Sequence, residues 1–563
     1  MTLLNGQKPG LNAKVELVWL GECPPPPWPL GRVFATEPAC RAVHELMLRL
    51  SKESVAQACL FWDSGLGPPA PDLIIKALMR PGDVWHAGLR LGGGGWPQLL
   101  DFVAPTSMLT RDPPADIEAT SWRISLRCCL MRLEVLRQMG GVHPEFITLD
   151  GTALEMGHRY AMRGALTRHT PWLLPDGVSS EVSEIPFEDE LRFIYYRFGW
   201  RWTKWALMRA VLTHYISPVK AVKAGREVSR SPRPPIPAPF VHDPPSTTPD
   251  LGKARVSVLI PTLERYPYLR KLLGQLQLQT INPYEIIIID QSSRETRDTN
   301  LGSDFRNLPL KIIYLDQAGQ CSARNAGLTE AEGEFILFLD DDDEVPPDLI
   351  EAHIRNLQQF QADVSSGVAE EVGAGDLPEN FTYIRVSDVF PTNNTLIHRR
   401  VLETTGLFDM AYDRGARADG DIGMRIYLHG WYMVLNPEIS VLHHHAPAGG
   451  LRAHKARVIT YASSRQSLIQ RHLPSKTEIY LAKRYFTPRQ VRESLWQRVL
   501  GTFSLRGPWW RRGLKILISF LLLPHTWWQI KVLERQADQM LQLYPQIPTL
   551  SGSGAETIEV KPR

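Results

Sequence analysis

Four aspartates and a glutamate stand together in Phe335-Ile-Leu-Phe-Leu-Asp-Asp-Asp-Asp-Glu344, directly after a short apolar run. The apolar run reads as a buried strand. Adjacent carboxylates repel, so such a cluster calls for a cation or open water. Hard oxygen ligands at the carboxyl end of a strand suit Mg²⁺ or Mn²⁺, ions that carry diphosphates. That chemistry points to an enzyme acting on a nucleotide-linked substrate. Asp343 and Glu344 precede Pro346-Pro347 and are expected to serve the start of the next helix, where negative charge suits the dipole. An EF-hand is excluded, because Val345 stands where that loop needs glycine and two prolines follow.

The elements that must position this cluster alternate in type. Val256–Ile260, Glu285–Asp290 and Leu310–Leu315 read as strands, and Tyr266–Gln279 and Ser322–Ala331 as helices. The Glu285-Ile-Ile-Ile-Ile-Asp290 run is so uniformly β-branched that it must be buried on both faces. Such alternation implies a parallel, doubly wound α/β sheet with ligands beyond the carboxyl ends of its strands. Asp290 and residues 340–344 both fall at such ends.

The chain has 563 residues and a net charge of +3. Its length demands more than one domain, and its charge gives no nucleic-acid footprint. Six cysteines without C-x-x-C spacing fit a reducing cytosol. The N-terminus lacks a signal-peptide pattern. A proline-rich linker is expected at 226–253, between blocks at 12–225 and 254–475. A basic, aromatic, helical tail follows at 476–550, and 551–563 reads as disordered.

Val258-Leu-Ile-Pro-Thr262, Ile286–Ser293, Gly319-Gln-Cys-Ser-Ala-Arg-Asn325-Ala-Gly327, the Asp cluster, Asn394–Asp409 and Ala418-Asp-Gly-Asp-Ile-Gly-Met-Arg425 occur in this order. Over residues 254–475 this series resembles the family 2 glycosyltransferases of GT-A fold, a Rossmann-like fold for nucleotide-diphospho-sugar transfer. The resemblance implies an inverting, metal-dependent sugar transferase using Mg²⁺ or Mn²⁺. Its donor would be a nucleotide sugar, UDP- or dTDP-linked, and its acceptor a saccharide or lipid-linked hydroxyl. By the same resemblance Pro261, Thr262, Asp290, Arg324 and Asp340 bind the nucleotide sugar, and Asp290 contacts the base. Asp342, Asp340 and His443 hold the metal, with His445 expected on the same strand face as His443. Asp419 is the catalytic base and Asp421 is structural. Asn325 either approaches the donor or caps its helix. Two positions depart from the family pattern, Ala418 for Glu and Gln291 for Asp or Asn.

The first block carries a faint copy of the second. Leu60-Phe-Trp-Asp63-Ser-Gly65 aligns with Leu337–Asp342, Cys129–His143 with Thr395–Asp409, and Glu155–Arg159 and Gly164 with Asp421–Arg425 and Gly430. Tyr195–Arg197 aligns with Tyr461 and Arg465. Gly65 stands for Asp342 and Ala153 for Asp419, so the copy is expected to be inactive, with its nucleotide-binding unit shrunken or gone.

In the tail, Trp509-Trp-Arg-Arg512, an apolar run to Leu523, and Trp527-Trp528 suit either a headgroup interface or an ordinary core helix. Phe193–Trp205 carries the same ambiguity. The expected location is cytoplasmic, peripheral on the inner face of the membrane. Two other functions fit parts of the pattern. A sugar-1-phosphate nucleotidyltransferase would open with a Gly-rich loop where Pro261–Arg265 stands, and a non-catalytic carbohydrate-binding scaffold would not need the acids.

Overall fold

The computed structural model describes residues 14–89, 97–175, 177–178, 184–243, 254–373, 375–446, 467–471 and 473–550. Residues 551–563, Tyr461 and Arg465 lie outside the described residues. The first block holds strands β1 (Val15–Leu20), β2 (Val33–Thr36), β3 (Ala58–Asp63), β4 (Val84–His86), β5 (Ala119–Thr120), β6 (Cys128–Arg132) and β7 (Thr167–His169). They form one sheet in the order β2-β1-β3-β6-β4-β7-β5.

The second block holds β8 (Val256–Thr262), β9 (Glu285–Asp290), β10 (Leu310–Tyr314), β11 (Phe335–Phe338), β12 (Asp343–Glu344), β13 (Val364–Glu371), β14 (Arg385–Val386), β15 (Thr395–His398) and β16 (Met433–His443). Their order is β10-β9-β8-β11-β15-β13-β16-β12, with β14 also on β16. Strands β8 to β11 are mutually parallel, as the βα alternation requires. Beyond them β15 runs antiparallel to β11 and β13, so the sheet is mixed rather than wholly parallel. The four isoleucines of β9 have no exposed surface, and burial of each contributes roughly 1.5–3 kcal/mol. Burial on both faces leaves the polar strand end, Asp290, as the place where the sheet meets ligands.

Asp343 and Glu344 do not start a helix. They form β12, paired with His443 and Leu442, and the next helix begins at Leu349 after Asp348. Two consecutive prolines and a strand partner from β16 outcompete the capping role. The described part of the 226–253 stretch has no regular structure after Val228. It lies along the first block, where Phe240 is buried and Arg233 donates to the Tyr196 and Arg197 carbonyls.

Phe193–Trp205 belongs to the core. It lies in the helix Phe187–Leu212, broken at Gly199, with Phe193, Ile194 and Tyr196 buried. The tail forms helices Lys476–Tyr485, Pro488–Gly501, Trp509–Leu521 and Leu523–Leu543. The second fastens the tail to the first block, with Arg209 bonding both oxygens of Glu493 at 2.8 Å and Gln490 donating to Asp101 at 3.0 Å. The third helix is turned inside out. Lys515 and Ser519 are its buried residues, while Trp509, Leu517, Phe520 and Leu521 face solvent. Among the described residues no single helix is long and apolar enough to cross a membrane. The pair Trp509–Leu521 and Leu523–Leu543, bent by 62°, reaches that length and composition only together.

Candidate active site

Strand pairing brings the expected donor-binding residues to one edge. Thr262 is the register partner of Asp290 across β8 and β9. The Asp290 carboxylate accepts from the Tyr266 hydroxyl at 2.7 Å and from the Ser292 amide at 2.9 Å. It is therefore held rigidly at the strand end. Gln291 turns inward, accepting from the Gly319 amide at 2.7 Å, so it braces the turn into the helix Gln320–Glu330.

The acidic run after β11 divides into distinct tasks. Asp341 is buried, accepting from the Thr262 hydroxyl at 2.8 Å and Arg265 at 3.1 Å. Burial pushes its carboxyl up to about 7, helped by the Asp342 charge and opposed by Arg265. Thr262 thus supports the cluster through Asp341. Asp342 is buried, and one of its oxygens accepts from the Ala446 amide at 2.7 Å. The other, Oδ1, is buried and takes no hydrogen bond. Asp340 is partly exposed, and its carboxylate receives Arg324 Nη2 at 2.9 Å. Arg324 also reaches Thr392 at 3.2 Å.

His443 reaches this cluster from β16. Its Nδ1 lies 2.8 Å from Asp343 and 3.7 Å from Asp342. Burial pulls the imidazole down, but the Asp343 hydrogen bond and the carboxylates of Asp340, Asp343 and Asp342 override it and hold it at about 9. Donor atoms of Asp340, Asp342 and His443 all lie within 4.8 Å of one another. Two hard oxygens and an imidazole nitrogen, one of the oxygens being the buried Asp342 Oδ1 that takes no hydrogen bond and lies 3.2 Å from Arg265, fit a divalent cation such as Mg²⁺ or Mn²⁺. His445 is not an equivalent ligand. The strand ends at His443, His445 has a positive φ of 51°, and its Nε2 contacts Glu371.

Asp419 lies in the first turn of the helix Ala418–Leu428, exposed, and nothing among the described residues hydrogen-bonds its carboxylate. Asp421 points the other way. It is buried and accepts from the Tyr485 hydroxyl at 2.7 Å and Arg425 at 3.0 Å. Arg425 in turn caps the Thr405, Gly406 and Leu407 carbonyls. Ala418, where the resembling family has Glu, is buried. Asn325 neither caps nor faces a ligand, since it brackets the Phe408 backbone with two 2.8 Å bonds. Arg265 was not legible as a site residue. Its one signal is a cation just after the first strand, at the point where the neighbouring strand ends carry acids.

The mixed sheet, with acids at the ends of its parallel strands and a histidine brought in by β16, defines an α/β segment whose polar groups converge at one edge. Residues 257–417 match the model of Glycosyl transferase family 2. Over 115 residues the chain is 30% identical to glycosyltransferase GlyA of Streptococcus pneumoniae, covering 20% of this chain and 16% of that one. Over 94 residues it is 36% identical to the GalNAc(5)-diNAcBac-PP-undecaprenol beta-1,3-glucosyltransferase of Campylobacter jejuni, covering 16% and 30%. The chain thus spans less than a third of either relative. The mannosyltransferase PcManGT of Pyrobaculum calidifontis, solved with GDP-Man and Mn²⁺, is 16% identical with a TM-score of 0.36, covering 60% of this chain and 98% of that one.

Proposed function

We propose that the chain is a metal-dependent, inverting glycosyltransferase of GT-A type that moves a sugar from a nucleotide-diphosphate donor to an acceptor hydroxyl. The observation that carries this reading is the convergence of Asp340, Asp342 and His443 beside Asp290 at the strand ends of the family 2 segment. Asp342, Asp340 and His443 would hold Mg²⁺ or Mn²⁺, which when bound neutralises charge on the departing nucleoside diphosphate. Asp290 is rigid enough to receive the nucleotide base. Arg324 orients Asp340, and Pro261 and Thr262 form the floor beside it. Asp419, with its carboxylate free, takes the acceptor hydroxyl's proton, and attack from the face opposite the nucleotide inverts the anomeric centre.

The test is nucleotide release by the full chain with Mn²⁺ and a panel of UDP-, dTDP- and GDP-sugars. Asp419→Asn is expected to lower turnover about 10²–10⁴-fold while still binding donor, and Asp342→Asn to lose metal-dependent turnover. Full turnover in both variants would overturn the reading.

The acceptor is inferred to be a saccharide or lipid-linked glycan, and the enzyme to work on a membrane surface. The Campylobacter relative's name specifies an acceptor on diphospho-undecaprenol. The inside-out helix Trp509–Leu521 supplies exposed Trp, Leu and Phe beside Arg511 and Arg512, the composition of an interfacial helix. Six free cysteines agree with the cytosolic side.

The first block is inferred to be a degenerate copy of the catalytic one. Its strand order corresponds to β9-β8-β11-β15-β13-β16-β14 position by position, without counterparts for β10 and β12 among the described residues. Leu60 pairs with Leu130 as Leu337 pairs with Leu396. Arg159 bonds Glu155 and the Met139, Gly140 and Gly141 carbonyls as Arg425 does its own set. Gly140 and Gly406 share the positive φ, 73° and 78°, that lets the chain turn into these bonds. Asp63 caps its own turn through the Gly65 amide and faces Arg127 at 3.8 Å, and Ala153 is fully buried.

A further inference from the structure

A cavity of about 290 Å³ lies where the two blocks and the tail meet. Its wall takes Met108 from the first block, Arg417 and Gly420 from the second, and Glu478, Phe486 and Ser494 from the tail. Of the lining residues, only Asp388 and Arg417 lie in the matched stretch 257–417. We propose that this cavity binds the terminal sugar of the acceptor, so that the first block and the tail select what the catalytic segment glycosylates. The proposal rests on the glycosyltransferase reading.

Position comes first. Arg417 and Gly420 line the cavity and bracket Asp419 in the chain, which brings the lining within two residues of the base. Gly420 packs closely here, since a Cβ would stand 3.3 Å from Leu481. Lining chemistry comes second. Glu478 is held between Arg417 at 3.0 Å and Arg498 at 2.9 Å, which fixes charged groups in the lining. Phe486 and Met108 add buried apolar surface to it. A sugar ring carries the same two kinds of surface, hydroxyls at its edge and C–H groups on its face. Size comes third. Ligand pockets run from about 300 to 1,000 Å³, so this one has room for one ring and not for a chain or a lipid.

The test uses the full chain and saturation-transfer NMR with methyl glycosides of glucose, galactose, mannose, N-acetylglucosamine and N-acetylgalactosamine. At least one glycoside is expected to bind, and Ser494→Trp and Met108→Trp, which fill the cavity from the tail and from the first block, are each expected to weaken it tenfold or more. Mn²⁺-dependent binding of nucleoside diphosphate, followed by calorimetry, is expected to stay unchanged in both and reports that each variant is folded. Binding of no glycoside, or equal binding in a folded variant, overturns the proposal. Nucleotide release to water by the wild type reads the glycosyltransferase assignment alone, so its presence without glycoside binding would remove the cavity and leave the enzyme.

Discussion

His443 and Asp343 form a register pair across β16 and β12, and their side chains meet at 2.8 Å. The same Asp343 accepts the Asp340 amide at 2.8 Å through its other oxygen. One carboxylate therefore aligns both the imidazole and the loop that carries the acids. Outer partners of this kind typically set metal affinity by about 10–100-fold. Asp343→Asn is expected to weaken Mn²⁺ binding by that factor in calorimetry without changing the fold. An unchanged Kd would remove Asp343 from the site.

The ion pair of Asp421 and Arg425 lies on the buried face of the same helix that presents Asp419. Removing Asp421 leaves the buried Arg425 guanidinium without its counter-charge and the Tyr485 hydroxyl without its acceptor, a loss of about 3–5 kcal/mol. Asp421→Ala is expected to lower the thermal midpoint clearly, and Glu155→Ala to do the same in the first block. A midpoint unmoved by Asp421→Ala would mean that the pair is not a brace.

Much of the catalytic segment was legible because its signals are local. The β9 run announces a strand buried on both faces, and its bounds Glu285–Asp290 are those of the structure. The spacing of Asp340 and Asp342, with a histidine after the strand ending near residue 442, led to the trio that the fold assembles. What escaped depends on partners distant in sequence. Asp343 and Glu344 read as helix-start acids until His443 and His444, 100 residues on, claim them. Arg265 has no local pattern that marks it. The inside-out helix was equally opaque, since composition gives its amphipathic faces but not which one turns inward.

Glu190 gives a pH signature. It is buried beside Leu99 and Tyr215, and burial pushes its carboxyl up to about 7 against the hydrogen bonds it accepts. The folded state then holds this proton more tightly than the unfolded chain, whose value is about 4.3. Its stabilising contribution is complete below that value and is lost as pH rises through about 7, on the order of 3 kcal/mol in total. Glu190→Gln keeps an acceptor and cannot ionise. The variant is expected to gain thermal midpoint over wild type at pH 8 and not at pH 4.5. Parallel midpoints across that range would show that Glu190 holds its proton no more tightly in the folded protein than in the unfolded chain.

The tail's third helix makes the last prediction. Lys515 and Ser519 are spent on internal carbonyls, those of Ser467 and Gln470 for Lys515 and of Thr502 for Ser519. Trp509 is 84% exposed and Phe520 60%. Buried polar groups with their bonds made, beneath an apolar outer face, describe a helix fitted to an environment that accepts hydrophobic contact on the outside. Arg511 and Arg512 add attraction to anionic headgroups, about 1 kcal/mol each near the surface. The full chain is expected to float with vesicles of phosphatidylglycerol and phosphatidylcholine, and less at high salt. The triple variant Trp509→Ser, Trp510→Ser, Phe520→Ser is expected to stay in the soluble fraction with its thermal midpoint nearly unchanged, because exposed substitutions usually alter stability by no more than about 0.5 kcal/mol. Equal flotation of wild type and variant would assign any membrane binding to another surface.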